Sequence, residues 1–153
     1  MERQIADQRL EVLMVEDNAA DVRIASEAWR EAGVRHLLRV ARNGEEALSV
    51  LRRQAPHDAA RRPDLVILDL NLPRMDGREL LAELKSDAEL RHIPVIVLTT
   101  SDRDRDIQRS YDLQANCYIV KPIGLESAFR VMRAIAEFWF EIVTLPPGKR
   151  SPV

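Results

Sequence analysis

Five short apolar runs, each followed by a stretch with helical spacing, predict a doubly wound α/β domain built on a five-stranded parallel sheet. The runs are 12–15, 37–40, 65–68, 95–98 and 117–120, and the first, third and fourth are apolar throughout. Uninterrupted apolar runs of this length suit strands covered on both faces. Strand–helix alternation requires right-handed crossovers, so every strand carboxyl end falls on one edge of the sheet. A chain of 153 residues is long enough to give such a sheet a real core.

The elements follow in order. Residues 1–10 read as a polar arm, 11–145 as the domain and 146–153, rich in proline, as a flexible tail. Strand 12–15 leads into a helix over 19–32, with Asn18 as its cap and Gly33 as its stop. The run 37–40 is less apolar, which places it nearer a sheet edge. Asn43-Gly44 is a turn or cap before a helix to about Gln54, and 55–63 reads as a solvated surface loop, with a basic contact through Arg61 and Arg62 as the alternative. Strand 65–68 is expected at the centre. It is followed by a helix over 77–86 with Leu80, Leu81 and Leu84 on one face. After strand 95–98, the run 102–106 (DRDRD) reads as a solvated helix start whose acids suit the helix dipole. Strand 117–120 and a last helix over about 125–142 complete the set.

Composition excludes several function classes. A net charge of −2 gives no electrostatic reason to expect nucleic acid or an anionic membrane surface as partner. No apolar run approaches the roughly 20 residues needed to span a bilayer, and the charged start MERQIADQRLE lacks a signal-peptide core. The single cysteine, Cys117, allows no intrachain disulfide, which fits a reducing cytoplasm. A Gly-rich phosphate loop is absent, which argues against nucleotide binding.

Chemistry collects at the carboxyl ends of the strands. Strand one delivers Glu16 and Asp17, strand three Asp69, strand four Thr99 and strand five Lys121. Each alone has an ordinary explanation. Asp17 fits a helix cap, Thr99 a loop hydroxyl and Lys121 a solvated charge, while Asp69 fits a turn or the cap of helix 77–86. Together on one edge they make a site. Three carboxylates repel one another unless a cation sits among them. Oxygen ligands without histidine or cysteine favour magnesium, Mg2+. His36, His57 and His92 lie at no strand carboxyl end and read as surface residues. Asp69 is placed to act as a nucleophile forming an acyl phosphate. Lys121 and Thr99 are placed to donate to its phosphoryl oxygens.

The segments VEDN, LDLNLPRMDG, VIVLTTS and YIVKP, in this order, resemble the response-regulator receiver domain of two-component signalling over roughly residues 11–140. The resemblance implies a flavodoxin-like (βα)5 receiver fold and a phosphoacceptor role for Asp69. It implies that Asp17 ligates the metal directly, Glu16 through water, and Asn71 through its backbone carbonyl. It pairs Thr99 with Tyr118 as switch residues, for which a half-buried edge-strand aromatic is the alternative, and it implies a cis bond at Lys121–Pro122. Glu16 in place of aspartate, Thr100 and Cys117 depart from the common pattern. The further segments LTTSD, ANCYIVKP and FWFEIVTLP look like the stand-alone regulators that partner bacterial and cyanobacterial phytochromes.

The expected function is a single-domain, cytoplasmic response regulator phosphorylated by a sensor histidine kinase of phytochrome type. It is not an enzyme in the turnover sense, and no effector domain is expected after residue 145. Three consecutive aromatics, Phe138, Trp139 and Phe140, cannot all face one core, so one is expected at the surface. Two readings fit them: packing under the arm or tail, and a homodimer interface, which aromatic enrichment favours. The resemblance places such a dimer on the face formed by helix four, strand five and helix five. Two other functions remain open. One is an aspartyl-phosphate phosphatase or phosphotransferase, disfavoured because Asn71 stands where such enzymes carry a second acid. The other is a phosphorylation-independent binding module, disfavoured because no site residue is lost.

Overall fold

The structure, a computed structural model, describes residues 9–57 and 61–147. The arm and tail expected at the two ends fall largely outside the described residues. The strands are β1 (Leu10–Val15), β2 (His36–Ala41), β3 (Leu65–Leu68), β4 (Val95–Thr99) and β5 (Cys117–Val120). The helices are α1 (Ala19–Glu31), α2 (Gly44–Leu51), α3 (Gly77–Ser86), α4 (Asp104–Asp112) and α5 (Leu125–Ile135). All four pairings are parallel. The strand order β2-β1-β3-β4-β5 puts β3 at the centre and β2 at an edge, as the run lengths and polarity predict. In this doubly wound topology the order reverses between β1 and β3, and a crevice opens above that point.

Alternation along the strands divides the core in two. Leu13, Val15, Val66, Leu68, Val95 and Val97 face Leu48, Leu51, Leu80, Leu81 and Leu84 of α2 and α3. Val12, Met14, Leu65, Ile67, Ile96 and Leu98 face Ala25, Ala28 and Trp29 of α1 and Met132 and Ile135 of α5. Trp29 is fully buried, and its indole N–H donates to the Met132 carbonyl at 2.9 Å, which satisfies the one polar atom that this large side chain takes inside. His36 is more than a surface residue. Its ring meets Trp29 edge-on at 5.4 Å, and its Nδ1 lies 2.8 Å from the Val34 carbonyl.

Local chemistry sets the helix starts. Asn18 Oδ1 accepts from the N–H groups of Ala20 and Asp21, Asn43 caps α2 through Glu46 N–H, and Asp76 caps α3 through Arg78 N–H. Capping by Asp76 leaves Asp69 free of that duty. Gly77 is required by close approach, because a Cβ there would lie 2.3 Å from the Asp69 carbonyl oxygen and 2.6 Å from Leu70 Cα. The glycine lets α3 start directly against the loop that carries Asp69.

Three details differ from the sequence expectation. The last helix changes pitch: α5 passes at Ala136 into a π-helical segment that runs to Ile142. The wider i→i+5 turn redistributes the three aromatics. Phe140 packs edge-on against Trp29 at 5.1 Å, Trp139 is partly buried in the same core layer, and Phe138 is 50% exposed. Arg61 and Arg62 are not free solvated charges, since Arg61 pairs with Glu11 and Asp64, and Arg62 with Glu89. The acids of 102–106 are not all solvated either. Asp106 is buried, and accepts from Ser101 Oγ at 2.6 Å and from Arg78 Nη2 at 2.9 Å and Nε at 3.0 Å. Arg78 also holds Asp76 at 3.0 Å, so one guanidinium ties the start of α3 to the start of α4.

The Ser101 hydroxyl is the largest influence on Asp106, the Arg78 guanidinium adds to it, and burial opposes both. The net effect holds the carboxyl below its ordinary value. A depressed pKa contributes stability that is complete above the unfolded value of about 3.8 and is lost as pH falls through the folded value. Asp106→Asn is therefore expected to lower the urea midpoint at pH 7. The gap from the parent should close progressively in titrations below pH ~4.

Candidate functional site

The parallel register carries four strand ends to one edge. Beyond β1, the Glu16 N–H donates to the Ala41 carbonyl at 2.9 Å, and beyond β3 the Asp69 N–H donates to Val15 at 3.1 Å. The Lys121 N–H donates to the Thr99 carbonyl at 2.7 Å. Each residue just past its strand is thus pinned by a ladder bond of the neighbouring strand, and its side chain points into the crevice above the reversal of strand order.

Glu16, Asp17 and Asp69 each offer a carboxylate oxygen, and these oxygens lie within 4.8 Å of one another. Glu16 is 2% exposed and Asp69 7%, while Asp17 is open to solvent. Burial, aided by the nearby Asp69 charge, raises the Glu16 pKa to about 7 against the pull of Lys121. The Asp69 carboxylate is held at both oxygens. Oδ1 accepts from the Asn71 N–H at 3.0 Å, and Oδ2 accepts from the Lys121 ammonium at 3.0 Å. Asp69 thus serves its local turn with one oxygen and meets Lys121 across the crevice with the other.

Lys121 spends its three ammonium hydrogens on Glu16 Oε1 at 2.6 Å, Asp21 Oδ2 at 2.9 Å and Asp69 Oδ2 at 3.0 Å. Burial disfavours its charge, but the bonds from Glu16 and Asp21 outweigh that and raise its pKa. Asp21 was not legible as a site residue in the sequence. It sits in the first turn of α1, one turn beyond Asp17, and only the packing of α1 against α5 brings its carboxylate to the lysine. The Lys121–Pro122 bond is not cis; among the described residues the cis bond is Ala55–Pro56. Trans is the intrinsically favoured isomer of an X–Pro bond, and Lys121 reaches all three carboxylates with it.

Thr99 is fully buried, and its Oγ1 has no hydrogen-bond partner among the described residues. A buried hydroxyl without a partner is costly, and at a strand end beside Asp69 it marks a place for an acceptor. Tyr118 is half-buried, packed against the α2–α3 core layer, and its hydroxyl donates to the Ser101 carbonyl at 2.9 Å. Thr99 and Tyr118 thus flank one segment, residues 99–101, which also holds Asp106 through Ser101. Thr100 is exposed. Cys117 is half-buried, and burial pushes its thiol pKa up, so it is not an activated nucleophile.

The arrangement can hold a hard divalent cation on carboxylate oxygens and present one of those carboxylates to an electrophile. A fixed ammonium and an unused hydroxyl flank that carboxylate. Known proteins resemble the chain as a whole. Response regulator Rcp1 of Synechocystis sp. is 44% identical over 135 residues, covering 88% of this chain and 92% of that protein. The crystal structure of its Mn(2+)-bound form superposes with a TM-score of 0.87 at 43% identity, covering 90% of this chain and 99% of that one. The phosphorylated cyanobacterial phytochrome response regulator RcpA superposes with a TM-score of 0.88 at 47% identity, covering 91% of this chain and 99% of that one. The family model of the response regulator receiver domain matches residues 12–133, and with these relatives it shows that the chain belongs to the response regulator receiver family.

Proposed function

We propose that this chain is a phosphoacceptor response regulator in which Asp69 receives a phosphoryl group from the phosphohistidine of a sensor kinase. The observation that supports it best is the convergence on Asp69 of Lys121, the Glu16–Asp17 pair and the unpartnered Thr99 hydroxyl. The likeness to phytochrome response regulators favours a phytochrome-type kinase as the donor. This reading places the chain in the cytoplasm. In keeping with it, no helix among the described residues is long and apolar enough to cross a membrane.

The carboxylate donor set fits Mg2+, with Asp17 and Asp69 as ligands, Glu16 through water and the Asn71 carbonyl completing the protein share. When bound, the ion would neutralise charge on the phosphoryl group as it transfers. The rest is done by the chain itself. The Asn71 N–H and the Lys121 ammonium fix the two oxygens of Asp69, so that one lone pair faces the donor. Lys121 can then move one bond from the carboxylate to a phosphoryl oxygen, and Thr99 can donate its hydroxyl hydrogen to another. Drawing Thr99 toward the phosphoryl group moves residues 99–101, and Ser101 carries that motion to Tyr118 and to Asp106 at the start of α4. This is the route by which phosphorylation would bias the face formed by α4, β5 and α5. A bias of ~1.4 kcal/mol shifts a two-state ratio tenfold.

Dimerisation is part of the same reading. Phe138 and Ile142, exposed by 50% and 70%, lie four residues apart on the π-helical segment. They supply the aromatic and aliphatic surface that an isologous contact uses. The anchor we favour is Phe138, not Trp139, because Trp139 is already partly spent on the core.

Three outcomes are expected. Incubation with acetyl phosphate and Mg2+ adds the mass of one phosphoryl group to the parent and none to Asp69→Asn; equal gain in both would refute the assignment of Asp69. Thr99→Val unfolds at the same denaturant concentration or is steadier by up to about 1 kcal/mol, since it removes a buried unsatisfied hydroxyl. The same variant loses the spectral change that beryllofluoride induces in the parent. Phe138→Ala shifts sedimentation toward monomer at concentrations where the parent self-associates, with little change in the unfolding midpoint.

A further inference from the structure

Asp21 lies outside the group of carboxylates suited to hold a cation, yet it is one of the three acceptors of the Lys121 ammonium. The first-turn N–H groups of α1 are already served by Asn18, which accepts from Ala20 and Asp21. The Asp21 carboxylate is thus not consumed by helix capping. Its side chain is 26% exposed and that of Lys121 13%, so the pair is only partly screened by water. Lys121 and Asp21 line a small cavity together with Ile24, Leu98, Pro122 and Met132, and Asp21 is the only carboxylate in that lining.

The lysine's other two acceptors gain competing partners during the reaction. With a divalent cation on Asp17 and Asp69, and on Glu16 through water, Glu16 and Asp69 would accept from Lys121 more weakly, and the ammonium would meet a like charge nearby. When Asp69 Oδ forms its bond to phosphorus, the bond from phosphorus to the bridging oxygen of acetyl phosphate breaks. Acetate leaves with the electron pair, and Asp69 no longer accepts from Lys121 as a free carboxylate. Of the three acceptors, Asp21 is the one with no part in holding the cation or the phosphoryl group.

We propose that Asp21 is a positioning residue that keeps Lys121 beside Asp69 while the other acceptors are engaged, and so sets the rate of phosphoryl transfer. This rests on the phosphoacceptor reading of Asp69. Losing one charge-assisted hydrogen bond from a positioned ammonium is expected to slow transfer about tenfold.

The test measures initial mass gain from acetyl phosphate in the parent, Asp21→Asn, Asp21→Glu, Lys121→Met and the double variant, across a Mg2+ titration. Without metal, lysine ammonium 1H–15N correlations report whether Lys121 hydrogens are shielded from exchange. The proposal expects Asp21→Asn to be about tenfold slower with the Mg2+ concentration at half-maximal rate little changed. It expects Asp21→Glu to recover most of the rate, and the double variant to be no slower than Lys121→Met. It further expects a shielded Lys121 ammonium signal in the parent that Asp21→Asn loses. An unchanged rate in Asp21→Asn overturns the proposal, as does an equal further slowing in the Lys121→Met background or a large shift in the Mg2+ requirement. A parent that gains no phosphoryl mass overturns the phosphoacceptor reading itself. A parent that gains it while Asp21→Asn behaves identically leaves that reading standing and removes only the role of Asp21.

Discussion

The Lys121 ammonium is the interaction on which the site depends. One charge at the end of β5 accounts for three carboxylates, two of them at the ends of β1 and β3 and the third in α1. Without a counter-charge, burying the Glu16 and Asp69 carboxylates side by side, both nearly excluded from water, would be costly. The lysine therefore does two jobs. It makes a charged crevice tolerable to the fold, and it holds the Asp69 carboxylate in one orientation. Burial first, and the neighbouring Asp69 charge after it, hold the Glu16 pKa up at about 7 against the pull of Lys121. Carboxylates gathered this closely repel one another, and a cation among them would relieve that repulsion.

The scaffold explains why these groups meet. Five parallel strands bring their carboxyl ends to one edge, and the register pins the residue after each strand by a bond from its neighbour. Gly77 lets α3 approach the Asp69 loop, and Asp76 caps that helix, so Asp69 is left to the crevice. The apolar strands β3 and β4 are buried along their whole length, which makes the platform under Asp69 and Thr99 rigid. The β5 side is built differently. β5 is only partly buried, and the segment after Thr99 is held by polar contacts through Ser101, Asp106, Arg78 and Tyr118. A rigid platform beside a hydrogen-bonded segment is the arrangement that lets a local change in charge move one side without disturbing the other.

The same contrast decides what each aromatic can do. Phe140 and Trp139 close the layer between α1 and α5, where Trp29 spends its indole N–H on the α5 backbone. Phe138 remains outside, edge-on to Trp139 at 5.5 Å, as a surface already braced by the core. A braced, exposed aromatic loses little freedom on being covered, which makes it a better anchor for a second surface than a mobile side chain.

The sequence by itself determined the strands, their burial and the residues at their carboxyl ends, because apolar period and turn residues are local signals. Glu16, Asp17, Asp69, Thr99 and Lys121 were legible for that reason, as were the caps Asn18 and Asn43. Only the tertiary structure decided the contacts between elements distant in sequence. Asp21 joins the site because α1 packs against α5 and so meets a lysine 100 residues away. Asp106 turns from a solvated helix acid into a buried partner of Arg78 because α3 and α4 start side by side. The pitch change at Ala136 selects Phe138 as the exposed aromatic, which a uniform helical period could not. Lys121–Pro122 takes the trans form that still satisfies the lysine. Charge, backbone pitch and burial at these points are set by what lies across the fold, and no window of neighbouring residues contains that information.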